Sequence, residues 1–162
     1  MKKISMLLLV VVMVFVVTGC TEEKIEEKVA TCTSQQDTHF ESVTINGENN
    51  KVTLYEVTYK YENSLLGVES MDDYTDEQKQ AFVDNMYNNL GFEKGKKYDG
   101  FSIDIRVEDQ VIVEFSGDVN NENARENFLK LGIDLSDANL GFEDAVHSYR
   151  LAGYTCKQLI SQ

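Results

Sequence analysis

The chain contains no proline, no tryptophan and only two histidines, and it sets 15 Lys and Arg against 28 Asp and Glu. Without proline, and with 10 glycines in 162 residues, it offers no proline-rich or glycine-rich linker that would divide it. One domain is the natural reading at this length. The shortage of cations gives a formal charge of -13. Such a surface repels phosphate backbones and anionic headgroups, so nucleic acid is not an expected partner and a polybasic membrane patch is absent. The apolar run from Met6 to Val17 is too short to span a bilayer stably.

What is present begins with that run. Lys2 and Lys3 form a short basic segment, Met6 to Val17 suits the apolar region of an export signal, and the run ends in Val17-Thr18-Gly19-Cys20. That ending resembles the bacterial lipobox, in which an aliphatic residue, a small residue and Gly or Ala precede the cysteine that becomes the first mature residue. The resemblance implies cleavage between Gly19 and Cys20 after a diacylglyceryl group is added to the thiol. It also implies further acylation (palmitate), because stable anchoring needs two or more chains. Removal of residues 1–19 takes Lys2 and Lys3 with it and deepens the charge from -13 to -15. The expected location is extracytoplasmic, lipid-anchored to the cell membrane or an outer membrane. Thr21, rather than Asp, follows the cysteine, so nothing there suggests retention in an inner membrane.

Residues 20–29 are charged and free of glycine, and read as a tether ahead of a single domain over 30–162. Within the domain, Tyr55, Val57, Tyr59 and Tyr61 alternate with polar groups, the mark of a half-buried strand. Asn46-Gly47 and Asn49-Asn50 separate it from Val43-Thr44-Ile45, a hairpin signal. A clearer hairpin joins Phe101 to Glu108 with Val111 to Ser116 across Asp109-Gln110, and Val111, Val113 and Phe115 should meet the apolar face of the Tyr55 strand.

Helices follow from the 3.6-residue period. Thr75 and Gln78 form a capping box before the stripe Phe82, Val83, Met86, Tyr87 and Leu90, which Gly91 and Phe92 close. A shorter helix is expected from about Asn123 to Leu131. A third carries Phe142, Ala145, Val146, Tyr149 and Ala152 and stops at Gly153-Tyr154. With a short strand around Tyr154 to Lys157, the order predicts an α+β fold: a largely antiparallel sheet of about five to six strands against about three helices.

Of the three cysteines, Cys20 is assigned to lipid, leaving Cys32 and Cys156 for an oxidising compartment. Each lies in a short strand-like segment near one end of the domain, so adjacent pairing of the terminal strands would join them in a disulfide. The lipobox, the early Thr31-Cys32-Thr33, the Thr- and Tyr-rich strands and the ending Gly153-Tyr154-Thr155-Cys156-Lys157 resemble the YehR-like family of small bacterial lipoproteins. That family is a domain of unknown function. The resemblance implies a small α+β lipoprotein and carries over no activity or catalytic residue.

Catalytic and metal motifs are nearly missing. His39 and His147 fall on different elements and read as surface or cap histidines. A Cys-His nucleophile would need Cys32 or Cys156 as a free thiolate, which conflicts with their pairing. Gly91 to Lys97 imitates a phosphate loop but is one residue short between its glycines and carries Lys97 where Ser or Thr should be. Asp118, Asn120 and Glu122 have calcium-loop spacing, yet Asn123 and Leu129 stand where Gly and Glu are required. Met71 to Tyr74 reads as a solvated approach to the first helix. No cofactor, metal site or catalytic residue is expected. The expected role is a non-catalytic envelope binding domain whose acidic surface favours a cationic protein, peptide or envelope partner. The alternative is a small-ligand or cation carrier serving a membrane system, with a pocket between sheet and helices.

Overall fold

The computed structural model of the protein describes residues 25–37, 39–67, 69–135 and 141–160. The export signal, Gly19, Cys20 and the tether up to residue 24 lie outside the described residues. Strands β1 (Glu27–Gln35), β2 (His39–Glu48) and β3 (Lys51–Tyr61) come first, followed by two 3-10 turns and helix α1 (Asp76–Leu90). Strands β4 (Phe101–Val107) and β5 (Val111–Asp118) precede helices α2 (Glu122–Lys130) and α3 (Phe142–Leu151), and β6 (Thr155–Ile160) ends the domain. One six-stranded sheet has the order β4-β5-β3-β2-β1-β6, with every pairing antiparallel. With the three α-helices among the described residues this is the expected α+β architecture.

The sheet buries one face. Ala30 and Cys32, Val43 and Ile45, Tyr55 and Val57, Val111, Val113 and Phe115, and Phe101 and Ile105 are all buried and share this face. The helices cover this face. Phe128 of α2, fully buried, meets Phe101, Phe115 and Tyr55 with ring centroids 5.3 to 6.3 Å apart. Tyr87 of α1 donates its hydroxyl to the Ile103 carbonyl at 3.2 Å. The aromatic contacts are edge-on, the arrangement the ring quadrupole favours.

Local chemistry sets the helix ends. Thr75 and Gln78 make the reciprocal capping box, and Gly91 at φ +78 lets the Phe92 amide donate back to the Tyr87 carbonyl at 2.9 Å. Asn121 caps α2 one residue earlier than the sequence pattern suggests. Gly141 precedes α3 without a side chain to cap it. The β2–β3 turn supplies the cap instead: the Phe142 amide donates to the Asn50 carbonyl at 2.9 Å, and the Glu143 amide to Asn50 Oδ1 at 3.4 Å.

That turn also resolves the two hairpin signals. Asn49 and Asn50 adopt φ +49 and +62, as a tight hairpin turn requires at both central residues, whereas Asn46 and Gly47 lie inside β2 at a register shift. Gly47 serves close packing: a Cβ there would lie 2.6 Å from Phe142 Cδ2 and 2.9 Å from the Lys51 carbonyl oxygen. The charged stretch read as tether is shorter than expected, since Glu27, Lys28 and Val29 are paired in β1. Lys28, its side chain only 13% exposed, reaches Glu143 of α3 at 3.2 Å, which draws this end of the stretch onto the domain.

The terminal strands β1 and β6 pair with Cys32 opposite Cys156, and a disulfide joins them with an S–S distance of 2.05 Å. Cys32 is fully buried. Because the closed loop holds 124 residues' separation, the chain-entropy account assigns it a stabilisation of about 4 to 5 kcal/mol. Reduction is expected to lower the free energy of unfolding by about 2 to 5 kcal/mol and to speed amide exchange first in β6. Urea denaturation and hydrogen exchange with and without reductant check this, and an unchanged midpoint would contradict it. Gly47→Ala is expected to cost about 1 to 3 kcal/mol through the clash with Phe142. A neutral or stabilising outcome in the same denaturation assay would show that the approach is not tight.

Candidate functional site

The face of the sheet opposite the helices is polar and laid out in rows. One row runs across all six strands as Lys157, Thr31, Thr44, Glu56, Ser116 and Ser102. The next runs Thr155, Thr33, Ser42, Thr58, Glu114 and Asp104. Two hydroxyl pairs bond across strands: Thr31 with Thr44 at 3.4 Å and Ser102 with Ser116 at 2.9 Å. The rows enclose a shallow groove of about 380 Å³ whose polar lining is Thr44, Glu56, Thr58, Ser102, Asp104, Glu114 and Ser116. Beyond the second row, Phe40, Lys60, Ile112 and Arg106 form a mixed margin.

Arg106 organises the carboxylates at that margin. Its guanidinium forks onto both oxygens of Glu114, with Nη2 to Oε1 at 2.9 Å, and also reaches Asp104 and Glu108 at 2.9 Å each. Hydrogen bonding from Arg106 holds the Glu114 carboxyl below the usual range. Two cations, Arg106 and Lys60, stand against the three carboxylates Asp104, Glu108 and Glu114 at this margin, and Glu56 adds an exposed carboxylate in the groove.

A second cluster lies on the helix side. Val43 and Ile45 point into the core from β2, and by the same alternation Glu41 points inward too, opposite Tyr59. Tyr154, just before β6, donates its hydroxyl to Glu41 Oε2 at 2.6 Å, and Tyr59 lies directly opposite Glu41 across the β2–β3 pair. Tyr59 stacks on Tyr61 at 5.9 Å, and Tyr149 of α3 meets Tyr154 edge-on at 5.0 Å. His39 tilts against Tyr61 at 6.0 Å. Burial, followed by the Glu41 charge, pushes the Tyr59 hydroxyl well up and Tyr149 up to about 12, and burial, followed by the hydrogen bond to Glu41, pushes Tyr154 well up.

The residues singled out from sequence fall as follows. Cys32 and Cys156 are joined; Gly19 and Cys20 lie outside the described residues. His39 starts β2 and His147 is exposed on α3, so they serve separate places. Gly91 to Lys97 is a turn in which two lysines pair with acids, Lys94 with Asp84 at 2.9 Å and Lys96 with Glu93 at 2.7 Å. Asp118 spends its oxygen on the Asn120 amide at 2.8 Å, and no cluster of metal-ligating groups occurs among the described residues. Met71 is buried and Ser70 caps its 3-10 turn, so this segment packs as well as approaching α1. Sequence reasoning passed over Glu41, Tyr149 and Tyr154 as a group. The signal was available in part, since Glu41 shares the parity of Val43 and Ile45.

No family model and no curated protein matches the chain. Among solved structures it is similar to the NMR structure of a protein from Streptococcus pneumoniae TIGR4, with a TM-score of 0.53 and 12% identity over 88% of this chain and 90% of that one. At that identity the likeness concerns the fold alone. Among the described residues no helix is long and apolar enough to cross a membrane.

The tyrosines give a signed pH dependence. Their hydroxyls are raised in the fold relative to about 10 in an unfolded chain, so folding favours the protonated phenol. That contribution is complete below pH 10 and is lost as pH rises through about 12, where Tyr149 ionises. Ultraviolet tyrosinate absorbance followed alongside circular dichroism should show a late phase that coincides with unfolding. Glu41→Gln should shift Tyr149 to lower pH by removing a neighbouring negative charge. A single early step for all eight tyrosines would overturn this assignment.

Proposed function

We propose that the protein is a lipid-anchored extracytoplasmic binding module of the YehR-like kind, non-catalytic, that docks a cationic partner on the open face of its sheet. The observation that carries this reading is the groove between the hydroxyl and carboxylate rows, on the face opposite the helices. Hydroxyls supply hydrogen bonds in either sense, and Glu56, Glu114 and Asp104 bias the face toward positive charge. Acylation at Cys20 supports the same picture from the other end. Residues 20–26 separate that thiol from β1 and reach at most roughly 25 Å when extended, so the domain stays close to the bilayer.

Two measurements test it. Mass analysis of the mature protein should show an acylated N-terminal cysteine, and Cys20→Ala should leave the precursor unprocessed; a soluble unmodified chain starting elsewhere would remove the anchor. Stopped-flow association of the detergent-solubilised protein with a lysine-rich peptide should slow steeply with added salt, because screening shortens electrostatic reach. Glu56→Lys should slow it several-fold more than Glu77→Lys, which makes the same charge change on the exposed side of α1. Equal effects of the two variants would place the attraction in the net charge and not in the groove.

A further inference from the structure

The helix-side cluster around Glu41 does not depend on the docking face, which lies on the other side of the sheet. Glu41 is a half-buried carboxylate set among the rings of Tyr59, Tyr61, Tyr149 and Tyr154. A carboxylate removed from water is costly unless hydrogen-bonded or paired. Here the Tyr154 hydroxyl supplies a hydrogen bond, but among the described residues no ion pair supplies a charge. The ion pairs among the described residues gather at Lys28, Lys94, Lys96 and Arg106, and Glu41 enters none of them. The rings add to the same imbalance, because aromatic faces are themselves negative.

The geometry points to this cluster as a binding site for an organic ammonium group, held by the Glu41 carboxylate and the neighbouring tyrosine rings. A metal ion is poorly served by one carboxylate and phenols that keep their protons, whereas a compact cation with an apolar skin suits the site. Quaternary and primary ammonium groups share this chemistry. The place in the fold favours access: Glu41 lies opposite Ser34, at the end of β1 remote from the tether. Tyr149, Tyr154 and Glu41 come from α3, the lead into β6, and β2, so the site exists only when the terminal strands are docked.

The test uses the isotope-labelled mature protein in non-ionic detergent, titrated with tetramethylammonium chloride, with methylammonium chloride, and with sodium chloride at matched ionic strength. Saturable amide shifts at Glu41, Tyr59, Tyr61, Tyr149 and Tyr154 are expected with an ammonium salt and not with sodium. The order of affinity between the two ammonium salts assigns the site to quaternary or primary groups. Glu41→Gln should weaken binding by about tenfold, and Tyr61→Leu should weaken it too, while Tyr154→Phe, which keeps the ring, should retain binding within about threefold. A merely structural cluster would respond alike to sodium and ammonium. That result, or a folded Glu41→Gln protein with unchanged affinity, overturns the site. Should Glu41→Gln fail to fold, the wild-type titration against sodium still decides.

Discussion

Side chains alternate along every strand, and in this sheet the two sides of the alternation meet different fates because all three helices cover the same face. Each residue is therefore committed by its parity to an apolar interior or to water. Phe128 marks the centre of the interior, reached by Phe101, Phe115 and Tyr55 from three strands. Gly117 makes the approach feasible, as a Cβ at that position would come within 2.6 Å of the Phe128 ring. A register slip of one residue in β5 would exchange Val111, Val113 and Phe115 for Ile112, Glu114 and Ser116. It would place a carboxylate under α2, so the hydrophobic face fixes the rows on the polar one.

That constraint explains which features were readable in the chain. Tyr55 to Tyr61 and Phe101 to Val107 alternate cleanly because one side of each strand is dry, and α1 announces itself through its capping box and Gly91. The pairing of Cys32 with Cys156 followed from two strand-like segments at opposite ends. The hairpin turn was less legible, since Asn46-Gly47 and Asn49-Asn50 both carry turn chemistry. The contest was settled by Phe142, a residue far along the chain that needs Gly47 to be bare and Asn50 to cap its helix. Lys28 left the tether for a similar reason, its partner Glu143 being invisible to local pattern. The polar rows were half visible: alternation gives Glu56 and Thr58 a common face, but only the register sets them beside Ser116 and Glu114.

Two acidic sites result, and their chemistry differs with their surroundings. On the open face, water screens Asp104, Glu108 and Glu114, and Arg106 ties them together at exposed positions where each ion pair is worth little on its own. Their collective effect is a field, suited to drawing in a charged surface. At Glu41 a single half-buried carboxylate lies beside tyrosine rings, so a short-range contact there is less screened than on the open face. On the proposed readings, long-range attraction and close discrimination would be divided between opposite faces of one sheet.

The inward parity of Glu41 also ties that cluster to the covalent closure of the domain. β6 is an edge strand paired on one side only, with β1, and such strands are the first to fray. Tyr154 stands two residues before Cys156 and Tyr149 five residues before Tyr154 across the end of α3, so their positions follow that of β6. The Cys32–Cys156 bond fastens β6 one pair away from Thr33 and Thr155, next to the point where Ser34 faces Glu41. A disulfide that would be reduced in a cytosol is kept in an oxidising compartment. The tyrosines around Glu41 would therefore be brought together under the same conditions that seal the terminal strands, and on the proposed extracytoplasmic reading the chemistry of the compartment would reach the cluster through β6 rather than through any residue in it.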